Sequence, residues 1–302
     1  MDTHDIIDIL SQLKITDVKL NEPLKNHTNI KIGGNAKIFV KIYTQKQLKN
    51  CICFLNAIES QYIILGNGTN TLFSDNGYNG VVICLSKSLK NYKIYEDGIY
   101  VQAGLNMFEL NKICRKYGLG GLEFSYGIPG SVGGAICMNA GAYGKSVGDF
   151  VDYVLAIKEG KLKKIKSKDM GFSYRHSAVE SENLVVVGAK FLLYKSEPKE
   201  IEILQNEYFQ KRLENQPYAD PSLGSVFKRK DGIEPVSKMI DNLGLKGYKV
   251  GGACVSEKHA GFIVNKGSAT CQDVLKLIKY IQKKIKKVYE FEPELEIKIL
   301  GD

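Results

Sequence analysis

The chain has 302 residues, 44% apolar and 25% charged, and a formal net charge of +9. Its length exceeds one small core and predicts about two or three subdomains, and its ordinary apolar content argues against general disorder. No run approaches the roughly 20 apolar residues of a membrane span, and MDTHDIIDIL places acids where a signal peptide carries bases, so a soluble, cytoplasmic protein is expected.

In chain order, apolar residues at helical spacing predict a first helix over Ile6–Leu13, followed by the polar stretch NEPLKNHTNIKIGGNA. A strand, KIFVKIY, comes next, and a helix from Gln45 to Ser60 follows Thr44. QYIILGNGTNTLF reads as a short strand running into a Gly/Asn/Thr loop. GVVICL and GIYVQAG read as strands and MFELNKICRKYG as a helix. In VDYVLAIKEGKLKKI, Glu159-Gly160 is a hairpin turn. NLVVVGAKFLLY is one long strand or a pair, and IEILQNEYFQKRLENQ is a helix ended by Pro217. Period-two alternation predicts a half-exposed strand over VYEFEPELEIKIL.

The lysines concentrate in KEGKLKKIKSK and KLIKYIQKKIKK. In the second, Val274, Leu277, Ile278, Ile281, Ile285 and Val288 recur at helical spacing, which predicts an amphipathic helix with solvated lysines. No tract interleaves basic and aromatic residues as a single-strand binder would, so an anionic small substrate suits the charge better than nucleic acid. The seven cysteines, including the pair Cys51 and Cys53, lack metal or redox spacing and read as free, mostly buried thiols. His4, His27, His176 and His259 form no cluster by spacing, so no metal is expected.

Two glycine-rich loops stand out, Gly66 to Thr71 and GIPGSVGGA from Gly127. The first lacks the third glycine of the dinucleotide turn. GAYGKS resembles a P-loop ending, yet Asn139 stands where that loop has glycine. Each loop alone is a tight connection. Both together, with His27-Thr28 ahead of Gly33-Gly34, offer backbone N–H groups suited to a pyrophosphate, and Ser131 adds a hydroxyl. No metal-binding carboxylate lies near them, which favours a bound dinucleotide over phosphoryl transfer.

The series HTNIKIGGNA, LGNGTNTLFSD, GLEFSYGIPGSVGGAICMNAGAYG, FSYRHS, GSVFKR, GLKGYKVGGACVSEKHAGFIVN and FEPEL resembles the UDP-N-acetylenolpyruvoylglucosamine reductase (MurB) family of peptidoglycan precursor synthesis, in the family's order. The resemblance implies an α+β protein with a vanillyl-alcohol-oxidase (PCMH)-type FAD-binding fold in two subdomains, 1–80 and 81–200, and a C-terminal α+β substrate domain, 201–302. It implies non-covalent FAD bound by Thr28, Gly66, Asn67, Gly68, Thr69, Asn70, Thr71, Gly127, Pro129, Gly130, Ser131, Gly133, Gly134, Asn139 and Gly141. NADPH is the implied co-substrate, and UDP-N-acetylglucosamine enolpyruvate is reduced to UDP-N-acetylmuramate. Tyr174, Arg175, Gly224, Lys228 and His259 match substrate-site positions.

Three positions match the family's catalytic residues. Ser225 corresponds to the donor that protonates the α-carbon, and Arg175 to the arginine that stabilises the developing enolate. Glu294 corresponds to the family's glutamate; Glu292, Glu294 and Glu296 alternate on one expected strand face, and only the place after Pro293 singles it out. It is expected near neutral or hydrogen-bonded. His259 is more structural or pocket-lining than catalytic.

Departures from the family pattern are Arg229 and Gly261, where Asn is frequent, and Gln216, where the subgroup with a tyrosine-bearing lid carries Lys. They place the chain with the shorter subgroup lacking that lid, leaving Tyr153 or Tyr248 as substitutes over the UDP moiety. A cytoplasmic monomer serving cell-wall synthesis, shape and division, without membrane or nucleic-acid partners, is the expectation. The alternatives are a flavin oxidase or dehydrogenase of the same fold and a non-catalytic nucleotide or nucleic-acid binder.

Overall fold

The computed structural model describes residues 2–301. Contacts group the chain into two compact units: Met1–Leu20, Ile38–Asn67 and Gly80–Gln210 in the first, and Asn21–Lys37, Gly68–Asn79 and Lys211–Asp302 in the second. The expected segments 1–80, 81–200 and 201–302 are linear, whereas the contacts return residues 21–37 and 68–79 to the C-terminal residues. The cause is long-range pairing. Strand Thr71–Phe73 runs parallel to Lys298–Leu300, and Ile30, Ile32 and Leu72 enter the second unit's core.

The first unit carries a five-stranded antiparallel sheet in the order Lys161–Lys166, Val151–Lys158, Val185–Leu192, Gly98–Gln102, Tyr92–Tyr95. Lys158 pairs with Lys161, and Glu159 and Gly160 have φ of 51° and 70°, as a two-residue type I′ hairpin requires. Strand Tyr62–Leu65 runs parallel to Tyr78–Cys84. The helix Gln45–Ala57 begins at Thr44, whose hydroxyl accepts from the Gln47 N–H in a capping box. Its Leu48, Cys51, Ile52 and Leu55 join Ile38, Val40, Val81 and Ile83 in one core.

The second unit packs the helix Cys271–Tyr289 through Val274, Leu277, Ile278, Ile281 and Ile285, as the periodicity predicts. Val288 is 58% exposed, because the helix ends one residue later, at Tyr289. The expected strand from 288 to 300 forms only at its end, Lys298–Leu300. Glu290 takes the left-handed C-cap of the helix, and Pro293 cannot donate to a ladder, so an isolated bridge at Leu295 is all that precedes it.

Five cysteines are buried, Cys137 is half-buried and Cys53 is exposed. Burial pushes the Cys51 and Cys114 thiols up to about 12, the behaviour of inert structural cysteines.

Candidate functional site

In the first unit the two glycine-rich segments meet. A Cβ at Gly66 would lie 2.3 Å from Ser131 Oγ, so only glycine permits this approach. Asn67 joins the segments, its Nδ2 donating to Pro129 O at 2.7 Å while its Oδ1 accepts from Ser86 Oγ at 2.7 Å. Met107 N–H holds Gly130 O at 3.0 Å. Ser131 caps the short helix Val132–Cys137 and accepts from the Gly134 N–H at 3.3 Å.

Which amides are left without an acceptor differs from the sequence expectation. Gly133 N–H donates to Ala103 O at 2.8 Å and Gly134 N–H to Ser131, so neither is open. Gly127, Gly130 and Ser131 are buried, and Gly66 and Asn67 half-buried, yet among the described residues none of their N–H groups meets an acceptor. A buried orphan donor costs about 1–3 kcal/mol, so three buried and two half-buried donors in two touching loops fit an anionic cofactor group.

The turn that carries Tyr174 and Arg175 also lies in the first unit. Ser173 and His176 exchange backbone hydrogen bonds at 3.2 Å, and Arg175 at the tip has φ of 54°. Such a left-handed non-glycine residue costs on the order of 1 kcal/mol and is common where function sets the geometry. The Arg175 guanidinium lies 5.1 Å from the Tyr174 ring centroid, with Nη1 3.4 Å from Gly141 O. Tyr174 itself is 50% exposed. Asn139 anchors the turn: Nδ2 donates to Ser173 O and Oδ1 accepts from Gly148 N–H, both at 2.9 Å. Its side chain therefore serves the protein backbone.

In the second unit, the loop after Asn67 folds onto residues 27–30. Gly68 has φ of 60°, and a Cβ there would sit 2.1 Å from His27 O. Gly68 O accepts from Asn29 N–H at 2.9 Å. Thr28 is buried and its hydroxyl donates to Ile32 O at 2.9 Å; Asn70 Nδ2 donates to Glu296 O at 2.9 Å. These side chains, singled out as cofactor ligands, make protein contacts. What the loop leaves without an acceptor among the described residues is the N–H of Gly68, Thr69 and Asn70. Thr71 enters the strand beside Lys298.

The same unit assembles the acid-bearing ladder. Strand Ser222–Ser225 pairs antiparallel with Phe262–Asn265, with a register slip between Ser222 and Ser225. Gly224 sits in the slip with φ of 77°, a left-handed step, and Ser225 resumes the ladder opposite Phe262. Beyond it, Val226 N–H donates to Gly261 O, Lys228 N–H to Glu294 O and Glu296 N–H to Val226 O, at 2.8–2.9 Å. This brings Ser225, Lys228 and Glu294 onto one short ladder. Ser225 Oγ donates to Phe227 O at 3.3 Å, a weak bond for a hydroxyl. Lys228 Nζ stands 3.5 Å from Glu294 Oε2, the hydrogen-bonding partner of that carboxylate, whose side chain is 79% exposed.

His259 is held by the same ladder. Its Nδ1 accepts from Gly261 N–H at 3.1 Å, which places the proton of the neutral ring on Nε2. A Cβ at 261 would lie 2.9 Å from His259 Cε1, so glycine there permits this ring position. Burial pushes the imidazole below its ordinary value near 6.5. The depressed folded value gives stability that is full above about pH 6.5 and is lost as pH falls through the folded value. His259→Gln is expected to flatten the pH dependence of thermal unfolding as pH falls below about 6.5. An unchanged slope in a melting series would remove His259 as its source.

Of the residues that hold these loops, Ser86, Met107 and Asn29 carry no signal in the sequence. Asn29 belongs to the HTNIKIGG motif, but its side-chain partner is distant. Among the described residues, no group of three or more His, Cys, Asp or Glu is placed to hold a metal, and no helix is long and apolar enough to cross a membrane.

Unpartnered amides along glycine-rich loops in an α+β frame suit a dinucleotide-binding protein, and residues 36–161 match the family model "FAD binding domain", which places the chain among FAD-binding proteins. Residues 216–300 match "UDP-N-acetylenolpyruvoylglucosamine reductase, C-terminal domain". The chain is 42% identical to the UDP-N-acetylenolpyruvoylglucosamine reductase of Caldanaerobacter subterraneus, over 98% of each chain, and 41% identical to that of Syntrophomonas wolfei, over 94% of this chain and 95% of the relative. The crystal structure of the Thermus caldophilus reductase superposes with a TM-score of 0.80 at 32% identity, covering 94% of this chain and 98% of that one. An alkyldihydroxyacetonephosphate synthase shares the fold alone, with a TM-score of 0.50 at 14% identity over 65% of this chain and 44% of its own. The chain belongs to the UDP-N-acetylenolpyruvoylglucosamine reductase family, an FAD-dependent oxidoreductase family with the PCMH-type fold expected from its motifs.

Proposed function

We propose that this chain reduces UDP-N-acetylglucosamine enolpyruvate to UDP-N-acetylmuramate with NADPH, and that Ser225 and Arg175 perform the protein's share of the chemistry. The observation that carries the residue roles is the placing of Ser225, Lys228 and Glu294 on one ladder. The amides of Gly66, Asn67, Gly127, Gly130 and Ser131 in the first unit would bind phosphate oxygens of FAD, and within the second unit those of Gly68, Thr69 and Asn70 form a loop of the same anion-binding chemistry. When bound, FAD supplies the hydride, taken from NADPH.

The enolpyruvyl double bond gains that hydride at its β-carbon and a proton at its α-carbon. Ser225 Oγ–H delivers the proton; its present bond to Phe227 O is weak enough to exchange for the substrate carbon. Arg175 pairs its planar fork with the substrate carboxylate and the enolate charge. Glu294, steadied by Lys228, assists Ser225 on its ladder. Tyr174 beside Arg175, and His259 beside the Ser225 ladder, serve as substrate-contacting residues. Gln216, Arg229 and Gly261 support assignment to the subgroup without the tyrosine lid, with Tyr248, stacked on Tyr280 at 4.5 Å, or Tyr153 as cover for the UDP moiety. The protein works as a cytoplasmic monomer in cell-wall synthesis, and so in cell shape and division.

An anaerobic absorbance titration tests this. NADPH bleaches the flavin band near ~450 nm, and the enolpyruvyl sugar restores it. Bleaching without recovery favours an oxidase or dehydrogenase of the same fold. A protein that takes up no flavin when FAD is added overturns the reading.

A further inference from the structure

Two asparagines connect the glycine loop at 68–70 to the ladder that bears Ser225 and Glu294. The Asn29 backbone N–H donates to Gly68 O at 2.9 Å, and its Nδ2 donates to Ser222 O at 3.0 Å, three residues before Ser225. Asn70 Nδ2 donates to Glu296 O at 2.9 Å, and Asn70 O accepts from Lys298 N–H at 2.9 Å. Glu296 N–H in turn donates to Val226 O at 2.8 Å, next to Ser225. From the other side Asn265, on the strand paired with Ser222–Ser225, donates its Nδ2 to Ile30 O at 3.0 Å. Residues 27–30, 68–70, 222–226 and 294–298 thus close a hydrogen-bonded circuit within the second unit.

We infer that Asn29 and Asn70 are positioning residues that set Ser225 and Glu294 against the cofactor loop. Both use side-chain amide donors on backbone carbonyls, so each fixes a strand's register without touching the substrate. The slip at Gly224 makes such ties necessary there, since regular ladder bonds are interrupted between Ser222 and Ser225. A hydride donor and a proton donor must address adjacent carbons of one substrate, and a misplacement of about 1 Å costs on the order of a hundredfold in rate. Reduction of the flavin by NADPH needs no such alignment. The inference rests on the reduction proposed above for its kinetic consequence, and on the circuit alone for its structural one.

The test uses the full chain, carrying Asn29→Ala, Asn70→Ala or Asn70→Asp, the last isosteric but without the donor. In stopped flow with FAD bound, Asn29→Ala keeps reduction by NADPH within about threefold of wild type while reoxidation by the enolpyruvyl sugar slows about 10- to 100-fold; for the Asn70 variants the slowing of reoxidation alone is read. In a Ser225→Ala background the same changes slow reoxidation by less than about threefold further, because the aligned donor is already gone. Without FAD, hydrogen exchange at the Val226, Lys228 and Glu296 amides rises by about tenfold or more, while the helix Cys271–Tyr289 is unchanged. Equal slowing of both half-reactions in Asn29→Ala, effects that multiply with Ser225→Ala, or unchanged exchange at those amides each overturn the inference. A wild-type flavin that the sugar fails to reoxidise overturns the functional reading instead, and the exchange pattern then decides the positioning role by itself. If the alanine variants do not fold, Asn29→Asp and Asn70→Asp, isosteric but without the donor, are read against the same outcomes.

Discussion

Ser225→Ala leaves NADPH reduction of the bound flavin within about threefold of wild type and slows reoxidation by the enolpyruvyl sugar by about 10²–10⁴-fold, the range of a lost general acid. The separation follows from chemistry. NADPH delivers hydride without needing a proton from this hydroxyl, whereas saturation of the enolpyruvyl double bond cannot finish without one. Ser225 is half-buried at the end of its strand, and among the described residues its hydroxyl donates to the carbonyl two residues on, so alanine removes little of the fold. Melting temperature is therefore expected to stay close to wild type. Anaerobic stopped flow at the flavin band measures both steps in one preparation. Equal losses in the two would show that Ser225 places the flavin and does not donate the proton. Ser225→Cys, with a more acidic donor at the same atom, is expected to recover part of the second step.

Gly68→Ala has the second large effect, on folding and cofactor affinity together. Residue 68 has φ of 60°, and its Cβ would stand 2.1 Å from His27 O and 2.9 Å from Thr28 Cα, backbone atoms that cannot swing aside. The left-handed conformation alone costs an alanine on the order of 1 kcal/mol, and relief of the overlap must move the 27–30 segment, for a total of about 2–4 kcal/mol. Gly244→Ala is the matching control, because φ is 66° there and open space surrounds the site, so only the backbone cost of about 1 kcal/mol is expected. Urea unfolding separates the two. FAD affinity, read from flavin fluorescence, is expected to fall at least about 100-fold in Gly68→Ala, since the loop that presents the 68–70 amides is displaced. The control keeps wild-type affinity. Equal destabilisation by both variants would mean that the loop yields and that the approach to His27 is not a constraint.

Much of the local architecture was legible in the residues. Thr44 with Gln47 marks a helix start, Glu159-Gly160 a hairpin, and the apolar spacing from Val274 to Ile285 a helix face, each as observed. These signals involve residues at most about four apart, where side-chain period and turn chemistry act on the backbone directly. The same reasoning failed where local and distant demands compete. The alternation from Glu290 to Glu296 has strand period, but a left-handed cap and Pro293 confine its pairing to the bridge at Leu295 and its flanking bonds.

The motifs by themselves determined the family and the FAD-binding fold, and they nominated Ser225, Arg175 and Glu294 for the chemistry. Tertiary structure alone decided which atoms of those motifs are open. Gly133 and Gly134 share the loop's composition with Gly130, yet their amides are closed by Ala103 O and Ser131 Oγ. Thr28 and Asn70 turn their polar groups to the backbone. The partners of Asn29 and Asn70 lie 193 and 226 residues away in the chain. Whether a donor is free depends on such distant acceptors, and no spacing within a motif encodes them, because a hydrogen bond is settled by position in space and not by order along the chain.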